Sequence, residues 1–118
     1  MTSSDTVRQA QIQLQKAAKA IAEMAGELAL AEQILEYNHD RCKQALARRV
    51  VEYLDRGDSA AAAEFRARAD DLYRVEIEAL GLQYQDAMTV RKTGDAQKVL
   101  WESARSILSM EKAKVSML

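Results

Sequence analysis

A chain of 118 residues with no Pro, four Gly and one Cys has the size of one domain and the composition of long helices rather than sheet, and a lone Cys excludes an internal disulfide. Its 17 Lys and Arg against 18 Asp and Glu leave a formal net charge of -1, so no whole-protein field gathers nucleic acid or anionic lipid. The start is polar, and no stretch approaches the roughly 20 apolar residues of a membrane span, so a soluble, cytoplasmic protein without a membrane partner is expected.

Ser3, Ser4 and Asp5 supply N-cap oxygens for a first helix expected over about 5–54. Within it Val7, Leu14, Ile21, Leu28, Leu35 and Cys42 recur every seven residues, each followed three later by Ala10, Ala17, Met24, Ala31, Asn38 and Ala45. This is an a/d heptad seam, the pattern of a coiled coil. After Cys42 the apolar positions move to Leu46, Val50, Tyr53 and Leu54, a four-residue stutter that locally unwinds a supercoil. Beside the seam, Ala18, Ala22, Ala25 and Ala29 form a second stripe that implies at least two helical neighbours.

Asp55-Arg56-Gly57-Asp58-Ser59 is the clearest turn: Gly57 suits the left-handed position past a helix end, and Asp58 or Ser59 can cap the next helix. A second helix is expected over about 59–92, with Phe65, Ala69, Leu72, Tyr73, Ile77, Leu80, Tyr84, Ala87 and Met88 on one broad face. Lys92-Thr93-Gly94-Asp95 repeats the Gly-Asp signal and predicts a second turn. A third helix over about 95–116 follows, carrying Leu100, Trp101, Ala104, Ile107, Leu108, Val115 and the terminal Leu118 at helical spacing. The expected fold is one all-α domain over 1–118, an elongated, coiled-coil-like antiparallel hairpin with a third helix packed along it.

These lengths bear on assembly. A second helix ending near Arg91 reaches back only to about Ala22, which leaves roughly the first 15 residues of helix 1 without an internal mate at equal rise. Val7, Ala10, Leu14, Ala17 and Ile21 are therefore the expected oligomer interface, with a homodimer as the simplest form.

Candidate chemistry is sparse. Glu36 and His39 have the Glu-x-x-His spacing of di-iron bundles, but the chain holds one His, so only a dimer with Glu32 or Asp40 could complete such a site. Solvated residues beside the polar seam residue Asn38 are the simpler reading, and no cofactor or metal is expected. Cys42 lies on the seam, away from substrate, and no phosphate loop or nucleophile motif occurs, so a non-enzyme is expected. Arg41, Lys43, Arg48, Arg49, Arg56 and Arg66, with Arg68 and Arg74, gather toward the hairpin turn. They could grip a phosphate backbone or a protein partner, although interleaved Asp and Glu nearly cancel them. Trp101 could anchor in a partner's groove. The leading expectation is an assembly factor, adaptor or inhibitor that binds itself and an unidentified protein through helical surfaces; an RNA- or DNA-binding helical module is the alternative.

Overall fold

The computed structural model describes residues 3–117, and Leu118 lies outside them. The described chain is an all-α helical hairpin of three helices: α1 (Ser3–Asp55), α2 (Ala60–Ala69) and α3 (Asp71–Ser116). No strand occurs among the described residues.

The hairpin turn follows from local chemistry. Gly57 has φ +99, a conformation that costs glycine little. Asp58 N–H donates to the Tyr53 carbonyl at 3.2 Å and Gly57 N–H to the Leu54 carbonyl at 3.0 Å, the paired bonds of a Schellman motif closing α1. Ser59 then caps α2, its hydroxyl accepting from Ala62 N–H at 3.3 Å, and Arg66 reaches back to Asp58 at 3.5 Å.

The returning arm breaks elsewhere than expected. Lys92, Thr93, Gly94 and Asp95 are continuous helix within α3, whereas Asp70 is extended at φ -70, ψ 131 and separates α2 from α3. Gly94 is not a turn residue because it is a packing residue: it is buried, and a Cβ built on it would lie 2.5 Å from Leu28 Cδ2. Asp70 breaks the helix because its carboxylate has better uses than solvent. Oδ1 accepts from Leu72 N–H at 2.7 Å and from Tyr73 N–H at 3.4 Å, capping α3. Oδ2 accepts from the Tyr53 hydroxyl at 2.6 Å.

The chain divides into two compact units, Met1–Ala29 with Val90–Leu118, and Leu30–Thr89. In the first, the start of α1 runs antiparallel to the end of α3: Leu28 meets Gly94, and Gln13 Nε2 donates to the Leu100 carbonyl at 2.8 Å. Ala10, Ala17, Gly94, Ala104 and Glu111 are buried there, with Val7, Leu14, Ile21, Leu28, Trp101, Ile107 and Leu108 half-buried around them. In the second, Ala31, Ala45, Ala63, Ala67 and Ala87 are buried, flanked by half-buried Leu35, Asn38, Cys42, Tyr73, Ile77, Leu80 and Met88.

The heptad seam of α1 is thus the inward face of both units, and α3 answers it every seven residues with Tyr73, Leu80, Ala87, Gly94, Trp101 and Leu108, all buried or half-buried. The phase shift past Ala45 is followed in part: Leu46, Val50 and Tyr53 are half-buried as expected, but Arg49 in the old heptad slot is half-buried too and Leu54 is exposed. Two apolar faces differ from expectation. Ala18, Ala22, Ala25 and Ala29 are all exposed, since a hairpin gives α1 one facing helix rather than two. Phe65 and Ala69 are exposed as well, because the break at Asp70 lets α2 turn Ala63 and Ala67 inward instead, and on α3 Leu72 and Tyr84 are exposed while Tyr73, Ile77 and Leu80 face inward.

Candidate functional site

The expected oligomer interface lies inside the first unit. Ala10 and Ala17 retain 4% and 2% of their surface, and Val7, Leu14 and Ile21 are half-buried. The reason is the missing second turn: α3 runs on past Gly94, so the first residues of α1 have an internal mate. Val7 lines a depression with Leu108 and Val115, and buried Glu111 bonds Lys114 Nζ at 3.2 Å. Its carboxyl is held below the ordinary carboxylate range by Lys114 first and by the Ser3 side chain second.

The basic residues at the hairpin turn are largely occupied by neighbours within their unit. Arg48 pairs with Glu76. Arg49 lies 3.1 Å from Glu52 and 3.9 Å from Glu76. Arg66 pairs with Asp58, Arg68 with Glu64 at 3.1 Å, and Arg74 with Asp71 at 3.3 Å. Arg56 stacks 5.0 Å above the Tyr53 ring, within cation–π range. Arg41 and Lys43 are exposed. This unit carries eight Lys and Arg against twelve Asp and Glu, a side-chain charge of -4. Trp101 sits half-buried on the α3 seam with the Arg105 guanidinium 5.5 Å over its ring.

Glu36, His39 and Asp40 are exposed on α1, and no group of three or more His, Cys, Asp or Glu able to hold a metal ion occurs among the described residues. Cys42 is a free, half-buried thiol. No helix among the described residues is long and apolar enough to cross a membrane.

What sequence reasoning missed is the outward apolar surface. No large side chain is fully buried among the described residues, while Phe65, Leu72, Val75, Leu82, Val99, Met110 and Val115 each expose more than half of their surface. Leu72, Val75, Ala79 and Leu82 repeat at the three-four-three spacing of a coiled-coil seam, on the outward side of α3. The spacing was legible; the face it takes was not, because the broad apolar face expected for helix 2 absorbed Leu72 into the core. In the first unit, Ile12 and Leu100, 44% and 43% exposed, frame a depression of about 430 Å3 with Ala17 and Lys16.

The Asp70 junction fixes the end of the second unit and gives it an acid dependence. The Tyr53 hydroxyl, first, and then the Leu72 and Tyr73 N–H groups hold the Asp70 carboxyl below its ordinary value. The same bond, first, pushes the Tyr53 phenol up. A carboxyl whose folded pKa is depressed stabilises the fold above its unfolded value, ~3.9, and loses that contribution as pH falls through the folded value. Tyr53→Phe is therefore expected to lower the urea midpoint at pH 7. The gap from the wild type closes in acid below the Asp70 pKa, and a gap unchanged by pH contradicts this assignment.

Comparison with protein-family models, with curated proteins and with solved structures finds no match.

Proposed function

We propose that the chain is a non-enzymatic protein-interaction module, an assembly factor, adaptor or inhibitor that works by covering its outward helical faces with polypeptide, its own copies included. The observation that carries this reading is the inversion of apolar surface. Among the described residues the buried hydrophobic core is Ala10, Ala17, Ala31, Ala45, Ala63, Ala67, Ala87 and Ala104, whereas the large apolar side chains are half-buried or exposed. Burying one large aliphatic or aromatic side chain contributes roughly 1.5–3 kcal/mol relative to leaving it in water. Contiguous exposed apolar surface on a helical face marks an interaction site.

Small inward residues let α1 and α3 approach closely, and the same choice of residues leaves little apolar area to hold two helices together without a further layer. A partner helix laid on Leu72, Val75, Ala79 and Leu82 adds that layer. Sedimentation of the isolated chain across concentration tests the reading. A mass rising above that of the 13.2 kDa chain is expected, and a monomer at every concentration, with no gain in stability on crowding copies together, contradicts it.

A further inference from the structure

We propose that the occupant of the outward stripe on α3 is a second copy of this chain, docked through unlike surfaces. Leu72, Val75, Ala79 and Leu82 of one copy seat in the depression around Ile12 and Leu100 of the other. This rests on the interaction reading above and names its partner and its two surfaces.

The stripe is apolar and acid-flanked. Leu72, Val75 and Leu82 are 61%, 57% and 63% exposed, and Ala79 is exposed beside them. Glu78 and Asp86 border it without ion-pair partners among the described residues, and Asp71 is matched by Arg74. Glu76 is held by Arg48 and Arg49.

The stripe does not suit itself. An antiparallel copy centred between Val75 and Ala79 sets Glu78 opposite Glu76, which Arg48 and Arg49 already hold, so Glu78 gains no basic partner there. A parallel copy stacks Glu78 in register with Glu78. Like charges on opposed helices are unfavourable. A basic, apolar surface fits it better.

The first unit offers that surface. It carries nine Lys and Arg against six Asp and Glu, a side-chain charge of +3 against -4 for the second unit. Complementary charge of this kind steers encounter and fixes register. Its depression is lined by the apolar Ile12, Ala17 and Leu100 together with Lys16 and the amides Gln9, Gln13 and Gln97. Lys16 has no ion-pair partner among the described residues. A neighbouring depression shares Gln9 and Ile12 and brings in Arg8, together with Asp5, which already has an interaction of its own. Ile12 is thus bordered by Arg8 and Lys16, the charges that Glu78 and Asp86 lack. Contacts between unlike surfaces close into a two-fold pair when made twice, or extend into a larger assembly when they do not close.

The test is complementation between two full-length variants. Val75→Glu/Leu82→Glu breaks the stripe and keeps the depression; Ile12→Glu/Leu100→Glu breaks the depression and keeps the stripe. All four residues are substantially exposed, so the helical circular dichroism of each variant is expected to match the wild type. Sedimentation equilibrium is expected to show self-association weakened at least tenfold in each variant alone. An equimolar mixture associates more tightly than either, because each supplies the surface the other lacks. If the depression variant alone associates like the wild type, or the mixture is no tighter than its parts, the pairing is wrong. A wild type that assembles with both variants unaffected overturns only this surface pair, whereas a wild type that stays monomeric overturns the interaction reading on which it rests.

Discussion

Gly94→Leu is expected to destabilise the chain by about 1–3 kcal/mol, the range for forcing extra carbons into a packed interface, whereas Gly81→Ala and Gly26→Ala each stabilise it by about 0.8–1 kcal/mol. The three glycines sit in helix interiors and differ in what faces them. A Cβ on Gly26 or Gly81 meets nothing within 4 Å, but one on Gly94 meets Leu28 Cδ2 at 2.5 Å, Cδ1 at 3.2 Å and Cγ at 3.4 Å. Alanine at Gly94 is the intermediate case. Its gain in helix propensity, about 1 kcal/mol, is offset by displacing the end of the Leu28 side chain. Leucine has no such room. Urea unfolding measures these four and Gly81→Leu, and the cycle with Leu28→Ala isolates the contact. A favourable coupling of about 0.5–3 kcal/mol between Gly94→Leu and Leu28→Ala is the signature of that close approach. Equal effects of leucine at Gly94 and at Gly81 contradict it.

Ala104→Leu is expected to cost about 1–3 kcal/mol as well, while Ala18→Leu stays within about 0.5 kcal/mol of the wild type in dilute solution. Ala104 is 0% exposed and Ala18 is on the open side of α1. The two alanines look alike in sequence, each on a small-residue helical face next to larger apolar residues. Only the hairpin register decides which face is packed. The comparison by urea unfolding therefore tests the register of the whole first unit, and similar costs at both positions contradict it.

The parts of the fold that were legible were written in adjacent residues. Gly57 followed by Asp58 and Ser59 specifies a turn through a left-handed glycine and a hydroxyl cap, and both are where that chemistry places them. The α1 seam was legible because its period is sustained, and Ala10, Ala17, Ala31 and Ala45 are buried at its d positions. The parts that were not legible depend on residues far along the chain. Gly94-Asp95 carries the same local signal as Gly57-Asp58, and what separates them is Leu28, which needs Gly94 to be small and helical. Asp70 lies among good helix formers and gives little local cause to break; its partner is Tyr53, on the other arm.

One misplaced turn propagated into the site. With α3 cut at Gly94, the start of α1 had no mate, so Val7, Ala10, Leu14, Ala17 and Ile21 read as an open face. With α3 continuous they are internal seam, and the open apolar surface moves to Leu72, Val75 and Leu82 on α3 and to Ile12 and Leu100 around the depression. The basic residues that could form a phosphate grip are interleaved with Asp and Glu that nearly cancel them, and the structure shows which of those acids they meet. Arg48, Arg49 and Arg66 spend their charge on Glu76, Glu52 and Asp58, and such pairs are screened contributors to stability rather than a free basic field.

The central claim, that the outward apolar faces are completed by other copies of the chain, is tested most directly by thermal unfolding as a function of protein concentration. For a chain whose folded form is an assembly, mass action makes stability depend on concentration: each tenfold increase adds about 1.4 kcal/mol for a dimer that unfolds to separate chains. The midpoint is expected to climb steadily from low to high micromolar concentration, with sedimentation reporting a multiple of the chain mass throughout. A midpoint that stays fixed across that range, with the mass of a single chain, contradicts the account.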